Sequence, residues 1–374
     1  MIRGKPAKRD ANMNFHHGEK PKTLYSHLKF MRYQDRLDAI RDRRLVAPVH
    51  IRIKPMNHCN HDCWYCAYRM SNLQLGAEMD LKDVLPEAKM FEIADDAISM
   101  GVQAITFSGG GEPLIYKPIA EVVEYLGKGG VRVAALTNGS ALKGKVADAF
   151  AAHASWARIS IDSWDNDSYA HARGIKVGEF DRVVKNMRDF TARKSNCVLG
   201  ISFIISQYNY EHIVEAATIF RDAGVNHISF SGVVVDNEGR ANNDYHEDIA
   251  PLVHAQLAEV KKMASDSFGI INHYHELEER FGKSYTFCPF LQFQTVIGAD
   301  QKVYACHDKA FNTAGLLGSI ADRSFKDFWF SEENLNRLYS INPSKDCNHH
   351  CVAHLRNLTI LDYLSINPDH AMFV

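Results

Sequence analysis

Cys59-Asn60-His61-Asp62-Cys63-Trp64-Tyr65-Cys66 is the stretch on which the reading of this chain turns. It follows an alternating apolar strand at 49–54 and opens a loop rich in polar and aromatic residues. Three thiols at this spacing converge on one metal centre without closing a four-ligand site. A [4Fe–4S] cube takes four ligands, so three cysteines leave one iron open to something else. Structural zinc, with His58 or His61 as the fourth ligand, is the rival reading. Zinc usually draws on two separated ligand pairs, whereas three ligands crowd into one loop here. So polar a loop does not suit three unrelated buried thiols.

Around that loop lies an ordinary globular composition. The 374 residues are 46% hydrophobic and 24% charged, room for two or three domains at about 150 residues each. A net charge of −2 offers no overall pull toward nucleic acid or an anionic membrane surface. No apolar run reaches the ~18 residues that span a bilayer. The basic start at 1–9 lacks the apolar stretch of a signal peptide. Eight cysteines without an export signal read as metal ligands rather than disulfides, in a cytoplasmic protein.

Residues 1–22 read as a loose polar arm carrying a His16-His17 pair. Leu24, Leu28, Met31, Tyr33, Leu37 and Ile40 recur at helical spacing, so 23–44 reads as one capping helix. Short apolar strands then alternate with amphipathic helices. Strands are expected at 49–54, 102–107, 131–136, 157–162, 198–205 and 226–231, and helices at about 80–100, 117–127, 141–152, 179–193, 210–223 and 248–266. Gly101, Gly130 and Gly224 stand where helix-ending glycines belong. Six βα units imply an α/β fold, a parallel sheet with helices outside and right-handed crossovers. The divisions expected are the arm 1–22, a capping helix 23–45, a barrel 46–270, a small cysteine-bearing unit 271–355 and a tail 356–374.

Alternation sorts each strand into two faces. Ile51, Ile53, Ile105, Phe107, Ile159, Ile161, Ile228 and Phe230 are expected to meet helices. The other face carries His50, Arg52 and Lys54, Thr106 and Ser108, Ser160 and Asp162, and His227, Ser229 and Ser231. Buried polar groups need partners, and parallel sheets are covered on both faces. A wet, ligand-filled interior follows.

Ser108-Gly109-Gly110-Gly111-Glu112-Pro113 ends the second strand and Thr137-Asn138-Gly139 the third, at the carboxyl ends where such sheets place their sites. Glycines let a backbone approach a ligand closely. In order and spacing these motifs resemble the radical S-adenosylmethionine (SAM) enzymes: CxxxCxΦC with Tyr65 at the aromatic position, then GGEP, then TNG. The resemblance covers roughly 46–355 and implies a partial (β/α)6 TIM-type barrel. It implies a [4Fe–4S] cluster on Cys59, Cys63 and Cys66 whose open iron is chelated by SAM. SAM would be held by Tyr65, Gly109, Gly110, Gly111, Glu112 and Asn138, with its ribose at Ser160 and Asp162. A capping role is the other reading of Asp162. His171-Ala172-Arg173-Gly174 resembles a further family stretch and reads as a loop salt bridge, while Cys197 at the start of the fifth strand reads as structural.

Beyond the barrel come Cys288, a hairpin turning at Gly298-Ala299-Asp300-Gln301 and ending at Cys306, then Gly318-Ser319-Ile320, a helix at 324–330, Cys347 and Cys351. Four cysteines suffice to close a second iron–sulfur site, and the arrangement resembles the SPASM/twitch branch in its shorter, twitch form, with a second [4Fe–4S] cluster. Four cysteines also suit zinc, and His307, His349, His350 and His354 stand near as substitutes.

The resemblance implies reductive cleavage of SAM by an electron from a donor such as flavodoxin or ferredoxin. The resulting 5′-deoxyadenosyl radical takes hydrogen from a substrate carbon. The expected reaction oxidises a small polar metabolite, sugar-like or aminocyclitol-like, with the second cluster accepting the electron. A general base is needed, and His227 and Asp236 are the candidates by position. Modification of a peptide is the alternative; a non-catalytic iron–sulfur or zinc scaffold is the alternative of another class, against which the glycine loop argues. The stripe His50/Arg52/Lys54 suits an anionic substrate, or offsets cluster charge.

Overall fold

Branched apolar residues at every second position make the strands. The computed structural model describes residues 25–373 except Gln74 and Glu276, so the arm at 1–22 and its histidine pair lie outside the described residues. The strands are β1 (His50–Ile53), β2 (Ala104–Phe107), β3 (Arg132–Thr137), β4 (Ala154–Ser160), β5 (Val198–Ile205), β6 (His227–Gly232), β7 (Gly269–Asn272), β8 (Gln294–Ile297), β9 (Lys302–Tyr304) and β10 (Leu316–Ser319). They form one sheet in the order β10-β9-β8-β1-β2-β3-β4-β5-β6-β7. Pairing is parallel from β8 through β1 to β7, and antiparallel only in β8–β9–β10. The arrangement is an α/β partial barrel.

After a first helix, α1 (Gln34–Arg41), the connecting helices are α2 (Glu87–Met100), α3 (Ile119–Lys128), α4 (Gly144–His153), α5 (Asn166–Arg173), α6 (Glu179–Thr191), α7 (Ile213–Asp222), α8 (Gly239–Glu247) and α9 (Ala250–Lys261). Their apolar faces pack on Ile51, Ile53, Ile105, Phe107, Ile159, Ile161, Ile228 and Phe230 in one core, the outer face that alternation predicts. Gly101, Gly130 and Gly224 take the left-handed backbone, φ +75°, +82° and +82°, which only glycine adopts without strain. Among the described residues no helix is long and apolar enough to cross a membrane.

Three elements differ from the reading of the sequence. The helix expected over 23–44 breaks at Tyr33 (φ −131°) into a 3₁₀ turn, His27–Arg32, and α1. Three residues per turn rotate the stripe, so Phe30 is buried with Leu37 and Ile40 while Leu28 and Met31 are exposed. Residues 166–173, read as loop, form α5, started by a reciprocal Asp165–Ser168 capping box and stopped by Gly174 at φ +59°. Finally, six strands become eight in the parallel run, because β7 joins β6 and β8 joins β1. β8 is the first strand of the expected hairpin, and its pairing with β1, distant in sequence, has no local signal; β7 is short and only half-buried.

Inside, the side chains are polar and space is tight at one point. A Cβ on Gly200 of β5 would lie 2.3 Å from the His227 ring. Gly200→Ala should therefore cost about 1–3 kcal/mol through overpacking, and clearly less in a His227→Ala background. Urea unfolding of the four proteins checks this; an equal penalty in both backgrounds would mean that the ring is not the obstacle.

Candidate functional site

The cysteine loop leaves β1 at Lys54 and is gripped by three neighbouring strand ends. Gly111 N donates to Met56 O at 3.0 Å, and Glu112 N to His58 O at 3.1 Å. A Cβ on Gly111 would sit 1.8 Å from His58 O, and one on Gly110 2.2 Å from Asn57 Oδ1. The glycines are thus needed for the approach of one loop to the other. From the third strand, Asn138 Nδ2 donates to Asn60 Oδ1 and Asn60 Nδ2 to Ser140 Oγ, both at 2.9 Å. Glu112 is buried, and its carboxylate accepts from Leu114 N (2.9 Å), Asn138 N (2.7 Å) and the Thr137 hydroxyl. It braces the ends of β2 and β3 together.

The fourth grip is electrostatic. Arg173, the last residue of α5, donates to the Asp162 carboxylate, to Ser160 O at 2.9 Å and toward Cys63 Sγ at 3.3 Å. Tyr65 OH donates to Asp162 at 2.6 Å. Asp162 and Arg173 are both 4% exposed at the side chain. Burial works against the guanidinium charge, but Asp162, the Tyr65 hydroxyl and Cys63 outweigh it and hold its pKa well above the usual arginine value. Asp162 is neither a helix cap nor a free carboxylate: it is half of a buried ion pair. The salt bridge read at Arg173 exists, on a helix end and out of solvent.

Cys288, Cys306, Cys347 and Cys351 line one cavity with Lys283, Asp308 and His349. Asn357 Nδ2 donates to Cys288 Sγ at 3.2 Å, and Lys283 Nζ to His349 O at 2.8 Å. Burial pushes the Cys288 thiol up to about 12, and raises Cys306 and Cys347 too; Cys59 in the first loop reaches about 11 for the same reason. A bound metal's charge would stabilise such thiols as thiolates, and both cysteine sets have donors that suit iron or zinc. Asp308, His349 and Cys351 also bring ligand atoms within 4.8 Å of one another, and neither ring nitrogen of His349 has a hydrogen-bond partner among the described residues.

A polar chain joins the two cysteine sets. Lys54 donates to Gly109 O and to Tyr68 OH, and Tyr68 OH lies 3.2 Å from His307 Nδ1. Tyr68 follows Cys66 by two residues and His307 follows Cys306 directly. Spacing from the cysteines was the available signal for Tyr68; nothing local announced Arg173's partner.

Neither candidate base hydrogen-bonds to this group, although Val235 and Asn237, either side of Asp236, bond to Asn72 after the cysteine loop. His227 is the first residue of β6, at the amino end of its strand, with both ring nitrogens buried and unpartnered among the described residues. Asp236 lies beyond β6, where its carboxylate accepts from Glu238 N at 2.8 Å and closes a turn. Ser160, partly exposed, lends its carbonyl to Arg173. Cys197 is buried in the core, as read.

The ion pair makes a stability prediction. Asp162→Ala leaves a buried, uncompensated arginine and should cost about 3–5 kcal/mol. Asp162→Leu combined with Arg173→Met should cost much less than Asp162→Ala alone. Chemical denaturation of the iron-free proteins measures both, and additive losses in the double variant would show the pairing to be unimportant.

Known proteins place this geometry. The family described as Radical SAM superfamily matches residues 53–248, more than half of the chain. AdoMet-dependent heme synthase of Methanosarcina barkeri is 27% identical over 200 residues, 53% of this chain and 53% of that protein. The chain spans about half the length of the curated relatives it matches. Among solved structures, Streptococcus suis SuiB bound to its precursor peptide SuiA superposes with TM-score 0.58 at 15% identity, over 87% of this chain and 75% of that one. Native anSMEcpe with bound AdoMet gives 0.55 at 15%, over 85% and 98%. At such identities the two structures show a shared fold. With the family's motifs gathered at the carboxyl ends of its strands, the chain belongs to the Radical SAM superfamily.

Proposed function

We propose that this protein is a radical SAM enzyme of the SPASM/twitch branch that oxidises a carbon of a small polar metabolite, using two iron–sulfur clusters and an external reductant such as flavodoxin or ferredoxin. Cys59, Cys63 and Cys66 would hold the first [4Fe–4S] cluster, and Cys288, Cys306, Cys347 and Cys351 the second. When bound, the first cluster with SAM supplies hydrogen abstraction from the substrate, and the second supplies an acceptor for the electron that oxidation releases.

The protein's own groups do the positioning. Gly110 and Gly111 present backbone close to Asn57 and His58 before the first cysteine, and the Gly109 carbonyl accepts from Lys54. Asn138 and Glu112 fix the cysteine loop from the side, and Arg173 sets a positive charge beside Cys63, where a ligand carboxylate would be favoured. Ser160 and Asp162 would meet the SAM ribose, with Tyr65 beside them bonded to Asp162. His227 stands at the amino end of β6, away from this end of the barrel; Asp236 lies beyond its carboxyl end, between Val235 and Asn237, which bond to Asn72 after the cysteine loop, and remains the candidate general base.

The observation that carries this reading is the convergence of four cysteines, spread over 288–351, on a single cavity wired by Lys54, Tyr68 and His307 to the first loop. A scaffold would need neither that link nor the glycine cradle. Modification of a peptide is the second reading, supported by the fold shared with SuiB, which is solved with a precursor peptide.

Anaerobically reconstituted protein should contain about eight irons per chain and cleave SAM when reduced with dithionite. A Cys59/Cys63/Cys66→Ala triple variant should keep about half of that iron and lose cleavage altogether. Cys347→Ala with Cys351→Ala should do the reverse, losing iron while SAM cleavage continues. Zinc at the C-terminal site in protein made under iron-replete, anaerobic conditions would refute the second cluster and the acceptor role with it.

A further inference from the structure

The interior of the sheet holds more positive charge than its own groups use. Three of the inner cations are accounted for. Lys54 donates to Tyr68 and Gly109, Arg173 pairs with Asp162, and Lys283 donates to the carbonyls of Arg280, Phe281 and His349.

Arg52 and Arg158 are not. Arg52 stands on β1, on the inward face with His50 and Lys54. Its Nε is buried without a hydrogen-bond partner, and the side chain has no ion pair among the described residues. Arg158 on β4 likewise has a buried, unpartnered Nε; its hydrogen bond is from Nη1 to the hydroxyl of Tyr25 at 3.1 Å. The two lie in each other's field: after burial and the opposing pull of Tyr68, Arg158 is the next influence on Arg52 and lowers its pKa, and the Asp308 carboxylate, which makes no ion pair with it, opposes this. Three strand steps of about 4.8 Å separate β1 from β4 along the sheet, and curvature brings inward-pointing arginines closer. The inward positions around them are mixed: Thr106, Ala134, Gly200, Ser202 and Ser229 are small, while Leu136 opposes Arg158 and Trp156 stands in the row of Arg52.

Neutralising the clusters does not explain these two arginines. The positive groups acting on the cysteines are Arg69, Arg173 and Lys54 at the first loop and Lys283, Lys309, Arg280 and Arg356 at the second. The nearby histidines offer no counter-charge either, since burial first, then Arg52 for His50 and Arg158 for His227, keeps both rings neutral. A buried guanidinium left without an anion is costly, and its planar fork matches a carboxylate or phosphate.

We propose that the substrate carries an anionic oxoacid group, carboxylate or phosphate, and that Arg52 and Arg158 hold it on the inward face of β1 and β4. This rests on the radical SAM reading of the same barrel. The reconstituted full chain, saturated with SAM, should bind inorganic phosphate or succinate saturably in anaerobic calorimetry, and whichever probe binds names the group. Arg52→Gln and Arg158→Gln should each weaken that binding at least tenfold, Arg52→Lys should recover part of it, and iron per chain should stay at the unaltered level. If Arg52→Gln does not fold, Arg158→Gln decides. Absence of saturable binding by either probe, binding that survives both substitutions, or competition of the probe with SAM would overturn the proposal. Dithionite-driven SAM cleavage by the unaltered protein keeps the two readings apart: cleavage without oxoanion binding sinks only this inference, and oxoanion binding without cleavage sinks only the radical SAM reading.

Discussion

β1 is hydrogen-bonded in parallel on both edges, to β2 and to β8, and the relation between the two cysteine sets depends on it. The strand that launches the Cys59 loop is thereby in register with the strand that begins the Cys306 hairpin: Arg52 opposes Thr106 on one side and Val296 on the other. Without the β1–β8 ladder the C-terminal cysteines would belong to a unit free to sit elsewhere. With it, Tyr68 and His307 come within hydrogen-bonding reach, and Lys54 ties the same point to Gly109. A backbone ladder of this kind is rigid, so positions set by it are held more firmly than positions on loops.

Buried charge is the second organising feature. Burial penalises an ion several-fold more than it penalises a hydroxyl, and the penalty is lifted only by a partner. Asp162 answers Arg173, and Tyr65 and Cys63 complete that environment. The pair also explains why α5 must end where it does. Gly174 approaches Asp62 so closely that a Cβ there would lie 2.8 Å from its carbonyl oxygen, and Asp62 N donates to Arg173 O at 2.8 Å. Helix end, cysteine loop and fourth strand are locked by one residue. Arg52 and Arg158 show the opposite condition, charge placed in the interior without an ion pair among the described residues.

Much of this was legible beforehand because it is local. Strand periodicity at Ile51/Ile53 or Ile228/Phe230, glycine stops such as Gly101, and the order of the cysteine, GGGEP and TNG motifs depend on neighbours within a few residues. Where local signals were weak or divided, the reading slipped. Apolar spacing over 23–44 fits one helix, yet Tyr33 breaks it because Phe30 packs with Leu37 and Phe293. The Asp165–Ser168 capping box was present in the sequence, but the short polar helix that follows buries few residues and carries little periodicity. β7 is four residues long and partly exposed, and only its partner β6 makes it a strand.

The sequence by itself determined the strands and helices of the barrel, the face each strand turns to the helices, and the three-thiol loop that leaves an open ligand position. These follow from side-chain period and residue spacing along the chain. Tertiary structure alone decided who meets whom inside: Arg173 with Asp162 and Cys63, Glu112 with Asn138, Tyr68 with His307. It also decided that His227 stands at the amino end of its strand, away from the cysteine loop, while Arg52 and Arg158 share the interior without an ion pair among the described residues. The reason is physical. A buried polar group is defined by the partner that answers it, and here the partners come from strands and helices dozens to hundreds of residues apart, joined only when the sheet closes around them.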